Sequence, residues 1–540
     1  MSITETTSST ARPASLTRAV WWVMFGVAAL AIFARILPEP RSIDDSFITF
    51  RYSRNLVEGS GFVYNPGNHT LGTTTPLYTL LMAGIGLITG RGDYPWFALV
   101  TNALLDAVTA ALLARLIYRI TGRLSLGAIL GILWAVNPMS VTFAIGGMET
   151  SLGILWAVAA MTAYFERREN WMAVFAALAI LTRIDTILWV GLVFAHQVLT
   201  RWRETRTTPT PLLRRLPWQS WCIFAAILFP WYIFSWSYFG TLISRSLSAK
   251  RVAYQVGDLH AAIRFMQHIA TPFFEHRTLG VPGVMAGIVL YPALAGVGTF
   301  FAIKRQPRLL PFLIYPWLYI TAFCVMNPLI FRWYLAPTLP TYFMAILLGV
   351  WALADTITTE IKHPAALARG ISGVGIIFIL LSLNAWDLHP DHGPDRPAPD
   401  MAWHKIELNY RDMGNQLREK YHVTEKTLVA AGDIGAVGYY SRARILDTVG
   451  LVTPEISKYY PFDKNLLVSG GNYAVPPAII LDYQPDYIVL MEDFVRNGLA
   501  RTPEFERLYA QIEFIATDYY GSGMILYQRR DLMQSRETSP

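Results

Sequence analysis

Eleven mostly apolar runs, at roughly 19–37, 96–117, 124–141, 150–165, 171–183, 186–200, 217–237, 282–303, 309–326, 335–354 and 370–387, divide the first 387 residues of this chain. A bilayer crossing takes about 20 such residues. In lipid every backbone N–H and C=O must be paired within the chain, so runs of this kind fold as helices. Composition agrees: 53% of the 540 residues are apolar and 15% charged, against roughly 25% charged in soluble domains. A disordered chain, a nucleic-acid arm and a purely soluble enzyme are excluded. Leu77–Thr89 is apolar but thirteen residues long and runs into Gly90-Arg91-Gly92-Asp93, which predicts an interfacial or re-entrant helix. The first 18 residues are polar, and the apolar run behind them lacks a small-x-small cleavage site, so a retained first span is expected.

Charge orients the map. With the N-terminus in the cytoplasm, the inner loops carry Arg119 and Arg123; Arg167 and Arg168; Arg201, Arg203, Arg206, Arg214 and Arg215; Lys304, Arg305 and Arg308; Lys362 and Arg369. The short outer loop 142–149 has no basic residue. This is the bias expected of cytoplasmic loops. It leaves outer loops at 38–95 and 238–281, both belonging to a membrane domain of residues 1–387. The tail, 388–540, becomes an extracytoplasmic domain, with His389–Pro399 as linker. The tail holds 16 Lys/Arg against 21 Asp/Glu, whereas the first 387 residues hold 29 against 17. The basic excess therefore belongs to membrane-facing loops and not to a nucleic-acid surface. In the tail, Thr427–Ala431, Ala443–Leu446, Ala478–Leu481 and Tyr487–Leu490 read as short buried strands of an α/β domain. Cys222 and Cys324, the two cysteines, both lie in apolar runs and build neither a disulfide framework nor a metal site.

Several ionisable residues fall where lipid or its boundary makes them costly. Asp44 and Asp45 follow the first span. They read either as helix caps above a Phe47, Phe50 and Leu56 stripe or as a general base and cation ligand at the membrane surface. Glu149 stands behind Gly146-Gly147 at the start of a span. Arg183 and Asp185 interrupt an apolar stretch, either pairing with each other or lining a site. Arg245, Lys250 and Arg251 in the second outer loop, and Arg332 in Phe331-Arg332-Trp333-Tyr334, gather cations on the same side as the acids. Arg and Lys in that position suit phosphate, and singly each also reads as a snorkelling side chain. Asn65-Pro66-Gly67 marks a turn.

The run Asp44-Asp45-Ser-Phe-Ile-Thr-Phe-Arg51-Tyr52, followed by Asn55-Leu56, Glu58-Gly59, Gly61-Phe62-Val63 and Asn65-Pro66-Gly67, resembles the first-loop signature of integral-membrane GT-C glycosyltransferases. In particular it is similar to that of the terminal β-arabinofuranosyltransferases of mycobacterial cell-wall synthesis and their bacterial relatives. Weaker likenesses lie in Gly147-Met148-Glu149-Thr150, Leu181-Thr182-Arg183-Ile184-Asp185, Tyr238-Phe239-Gly240 with Lys250, Arg332-Trp333-Tyr334-Leu335, and Gly432-Asp433-Ile434-Gly435 in the tail. Leu71-Gly72-Thr73-Thr74 and Ile243-Ser244 depart from the family pattern.

The resemblance implies a polytopic GT-C-like fold of about eleven transmembrane helices with an extracytoplasmic α/β domain. It implies transfer of a sugar, arabinofuranose in the mycobacterial relatives, from a polyprenyl-phosphate donor to a cell-envelope glycan outside the membrane. Asp44 is then the expected catalytic acid with Asp45 second. Arg183, Arg245, Lys250 and Arg332 are the expected phosphate ligands, and Glu149, Arg51 and Tyr334 the expected substrate contacts. A divalent cation (Mg, Mn or Ca) bridging Asp45 and Glu149 would fit hard oxygen ligands. The competing expectations are a lipid or sugar transporter or flippase, a protein O-glycosyltransferase of the same superfamily, and a sugar-binding receptor.

Overall fold

The computed structural model describes residues 17–90, 92–206, 211–361, 364–388 and 395–537. The polar leader, Arg91, Lys362 and residues 389–394 of the expected linker lie outside the described residues. Among the described residues, six helices are long and apolar enough to cross a membrane: Arg18–Ile36, Tyr94–Thr121, Trp218–Phe239, His276–Arg305, Pro307–Met326 and Arg332–Ile357. A seventh crossing counts if the pair Leu124–Val136 and Pro138–Ile145, bent by 45°, is one span. The bend has a cause. Pro138 opens the second helix, and extended Asn137 caps it, its side chain accepting the Met139 N–H at 3.0 Å. The chain is a multi-pass membrane protein.

Fewer of the described helices reach spanning length than the eleven apolar runs. Thr150–Phe165 and Glu169–Thr182 have 16 and 14 residues, about 24 and 21 Å at 1.5 Å per residue, short of a hydrocarbon core about 30 Å thick. They pack inside the bundle instead. Pro364–Leu383 has 20 residues, and Ile187–Thr205 ends in a turn carrying Arg201, Arg203 and Glu204. Pro76–Thr89 forms as a 14-residue helix, too short to span. Deep in the bundle, Arg35 pairs with Asp106 at 2.9 Å with both side chains fully buried. Trp134 and Ser151 also donate to Asp106, and Arg35 donates to the Ala135 carbonyl at 2.6 Å. This network ties the first span to the bent pair.

The tail carries a short antiparallel pair, β1 (Trp386–Leu388) and β2 (Pro397–Pro399), then a five-stranded sheet. Its strands are β3 (Leu428–Ala431), β4 (Arg444–Asp447), β5 (Tyr487–Met491), β6 (Tyr509–Ala516) and β7 (Gly523–Arg529), in the order β4-β3-β5-β7-β6. β3 runs parallel to β4 and β5, and β7 is antiparallel to β5 and β6. Three of the four expected strands form. The exception, Ala478–Leu481, lies in the helix Pro477–Tyr483. Pro477 at its first position supplies a pre-set φ there, and a four-residue apolar run carries no period of its own.

Two hydrophobic cores dominate. One fills the bundle. The other joins Phe47, Phe50, Tyr52, Phe62 and Tyr64 of the first outer loop to Val437, Ile445 and Leu446 of the tail. The first outer loop is therefore packed into the tail and does not lie free over the membrane surface.

Candidate active site

The helix Asp44–Val57 starts at Ile43, which offers no side-chain cap. Asp44 caps a different helix. Its carboxylate accepts the Gly435 N–H at 2.9 Å and the Ala436 N–H at 2.8 Å, at the start of Gly435–Ser441, which follows β3. Two turns of helix further on, Arg51 is buried with its guanidinium spent on carbonyls: Tyr64 at 2.8 Å, Gly438 at 2.7 Å and Ala443 at 2.6 Å, with Asn65 Oδ1 at 3.2 Å. Arg54 donates to the Tyr439 carbonyl at 2.7 Å and the Tyr64 hydroxyl to the Ile434 carbonyl at 2.6 Å. Asn65 closes two bonds with the backbone of Ile445. The approach demands glycine. A Cβ at Gly435 would fall 1.8 Å from the Asp44 carbonyl, and one at Gly438 would fall 2.0 Å from the Tyr64 hydroxyl. The conspicuous part of the first-loop motif is thus largely a docking surface for the carboxyl ends of β3 and β4, the edge where open α/β sheets hold ligands.

Asp45, one residue on, turns elsewhere. Its Oδ2 accepts from Lys250 Nζ at 2.8 Å across 205 residues, with side-chain exposures of 28% and 17%. Its other oxygen has no partner among the described residues. The Lys250 ammonium also lies 4.6 Å from the Phe331 ring centre and 5.8 Å from that of Trp333, a cation–π setting. Burial works against the Lys250 charge, but Asp45 outweighs it and holds Lys250 above its ordinary value.

Asp433, in the loop between β3 and the helix that Asp44 caps, accepts the Tyr410 hydroxyl at 2.6 Å. It lies within electrostatic reach of Asp45 and Lys250. Burial raises Asp433, and burial aided by the Asp433 charge raises Asp44. The two tail N–H groups oppose the rise at Asp44 without cancelling it.

A second ionic group stands behind the first. Arg183 caps the end of Glu169–Thr182 and binds Glu149 at 2.7 Å and both oxygens of Asp185 at 3.1 and 2.7 Å. Tyr319 donates to Asp185 at 2.9 Å. The Tyr334 ring connects the groups: Arg183 lies 5.7 Å from its centre, and Lys250 and Asp45 both act on its hydroxyl.

The structure therefore brings Asp44, Asp45, Lys250, Arg183, Glu149 and Tyr334 to one region. Arg51 is engaged by the tail backbone. Arg245 is exposed, with no hydrogen bond from its guanidinium among the described residues. Arg332 is also exposed and donates to the Met401 carbonyl at 3.1 Å. Asp433, Tyr410 and Tyr254 were not singled out from the sequence as site residues, although the Gly432-Asp433-Ile434-Gly435 loop was visible as a motif. Among the described residues no group of three or more His, Cys, Asp or Glu is arranged to hold a metal ion. Asp45 and Glu149 each face a cation of the chain, so the residues present do not make a ready cation site and no step below passes through one.

A family described as a domain of unknown function (DUF8728) matches residues 401–533, the tail. No curated protein matches the sequence. Among solved structures the chain is similar to ArnT from Cupriavidus metallidurans bound to undecaprenyl phosphate, with a TM-score of 0.53 at 13% identity, covering 95% of this chain and 98% of that one. The apo form of ArnT gives a TM-score of 0.56 at the same identity and coverage. The arabinofuranosyltransferase AftD from Mycobacteria gives 0.41 at 14% identity; 96% of this chain corresponds to 40% of AftD. The bundle, the outer loops and the tail together follow the fold of ArnT over nearly the whole of both chains.

Proposed function

We propose that the chain is a membrane glycosyltransferase that moves a sugar from a polyprenyl-phosphate donor to a hydroxyl of a cell-envelope glycan on the extracytoplasmic side. The observation that carries this reading is the Asp45–Lys250 pair at the junction of bundle, outer loops and tail: a carboxylate with one open oxygen beside a half-buried ammonium. The likeness to ArnT, whose structure holds undecaprenyl phosphate, supports a lipid phosphate as the donor's carrier. Arabinofuranose is the sugar that the first-loop signature favours.

Two adjacent acids take different work. Asp44 has both oxygens engaged by tail N–H groups, so proton transfer is assigned to Asp45. Its open oxygen takes the proton from the acceptor hydroxyl as that oxygen attacks the anomeric carbon. The bond from that carbon to the phosphate oxygen breaks, its electron pair stays on the phosphate, and the polyprenyl phosphate leaves. Once Asp45 is protonated, Lys250 loses its counter-charge and turns to the leaving phosphate, where Arg332 and Arg245 add positive charge at the exposed rim. Positive charge developing on the sugar is opposed by the nearby carboxylates. Arg183, bound by Glu149 and Asp185, fixes the floor under Tyr334.

The test is purified protein in lipid nanodiscs with a radiolabelled polyprenyl-phosphate sugar and a glycan acceptor. The reading expects a glycosylated product and free polyprenyl phosphate. In proteoliposomes, movement of intact donor between leaflets without cleavage would mark a flippase instead.

A further inference from the structure

Aromatic rings from three separate parts of the chain pack one against the next between Lys250 and Tyr520. Trp333 and Phe331 stack at 4.6 Å. Phe331 meets Tyr254 of the second outer loop at 5.9 Å, and Tyr254 meets Tyr473 of the tail at 5.7 Å. Tyr473 meets Phe494 at 5.1 Å and Phe494 meets Tyr520 at 5.9 Å. Tyr520, at the outer end, is 49% exposed. Asp433 lies within electrostatic reach of both Tyr254 and Tyr520. Tyr410 occupies one of its oxygens, and the other has no partner among the described residues. Glu407, which the charges of both Asp44 and Asp433 reach, is 8% exposed and leaves its Oε2 without a partner. A buried acceptor atom left unpaired costs free energy until something donates to it.

We infer that Asp433 and the accessible rings of this run, Tyr254, Phe494 and above all Tyr520, form the acceptor subsite, binding an uncharged glycan whose sugar faces lie on those rings and whose hydroxyl donates to Asp433. This rests on the glycosyltransferase reading and names the substrate side that reading leaves open. Burial raises both Asp433 and Glu407, which favours their uncharged forms, and a neutral polyol can pair with their open oxygens without bringing a charge. Apolar ring faces with a few convergent polar atoms are the common make-up of such sites. The run also opens toward water, at Tyr520, the side from which a glycan arrives. The tail is then part of the active site, and Asp433 is its acceptor-binding residue.

The experiment measures donor and acceptor KM separately for the full chain in nanodiscs, using a panel of farnesyl-phosphoryl pentoses and hexoses with octyl disaccharides as acceptors. Asp433→Asn keeps the side-chain shape and the Tyr410 contact, and Tyr520→Ala removes a half-exposed ring. Both are expected to raise the acceptor KM tenfold or more while the donor KM moves less than twofold. An unchanged acceptor KM in both variants, or a donor KM that rises in parallel, overturns the inference and leaves the glycosyltransferase reading standing. A wild-type protein that cleaves no donor of the panel overturns that reading, and the inference falls with it. Hydrogen exchange over 435–441 shows that each variant keeps its tail docked.

Discussion

Asp44 and Gly435 are 391 residues apart, yet an Asp44 carboxylate oxygen accepts the Gly435 N–H at 2.9 Å. A side chain of the first outer loop thereby serves as the N-terminal cap of a tail helix. Removing it takes away two hydrogen bonds, and bonds of that kind contribute about 0.5–1.5 kcal/mol each. Asp44→Ala is predicted to loosen the tail. Exchange at Gly435 and Ala436 should accelerate at least tenfold, while amides of the helix Tyr94–Thr121 stay protected. Unchanged exchange at 435–441 would remove the docking role.

Arg51 should matter for assembly more than for chemistry. It feeds three carbonyls, two of them in the tail, and each carbonyl left without a donor costs about 1–3 kcal/mol. Arg51→Ala is predicted to expose the tail to limited proteolysis in detergent under conditions where the wild type resists. Arg51→Lys should rescue only in part, because an ammonium cannot reproduce the planar fork.

Gly438 and Tyr64 should be coupled. Gly438→Ala places a methyl group 2.0 Å from the Tyr64 hydroxyl, so it alone is strongly destabilising. Tyr64→Phe removes that oxygen at the cost of the bond to the Ile434 carbonyl. Thermal unfolding of the two single variants and the double variant should show the double loss smaller than the sum. Simple additivity would contradict the packing described here.

Asp447 gives the tail a pH dependence of defined sign. Burial lifts it to about 6, against the pull of backbone N–H groups, including those of Val452 and Val449 at 2.9 Å each. Between about pH 4 and 6 the folded tail holds a proton that the unfolded chain has released. The contribution of this group is full below about pH 4 and is lost as pH rises through 6. Asp44 and Asp433, both raised, act with the same sign. Amide exchange at Val449 and Val452, corrected for intrinsic rate, should show protection falling from pH 4 to 7, and Asp447→Asn should flatten that change locally.

Much of the membrane architecture was legible because hydropathy and charge are local properties. The bundle, the short Leu77–Thr89 helix and strands β3, β4 and β5 follow from runs and periods within a few residues. Glu149 and Arg183 were legible as ionisable residues placed where lipid penalises them, Lys250 as a cation of the second outer loop, and Tyr334 only through the family resemblance. The division of labour between Asp44 and Asp45 was not, since it depends on N–H groups nearly 400 residues away. Asp433 and Tyr410 were hidden for the same reason: docking of the tail leaves no period in either segment. Gly435 and Gly438, three apart after a strand, were the available sign that another backbone approaches there. Eleven apolar runs do not translate into eleven span-length helices, because runs of 14–16 residues look alike whether they meet lipid or pack inside protein.

The most direct measurement is sugar transfer by Asp45→Asn in nanodiscs, with donor binding measured alongside. Asparagine fills the same volume and can still accept from Lys250, but it cannot take a proton. The account predicts transfer reduced by at least three orders of magnitude with the polyprenyl-phosphate donor still bound. Transfer at the wild-type rate would contradict it.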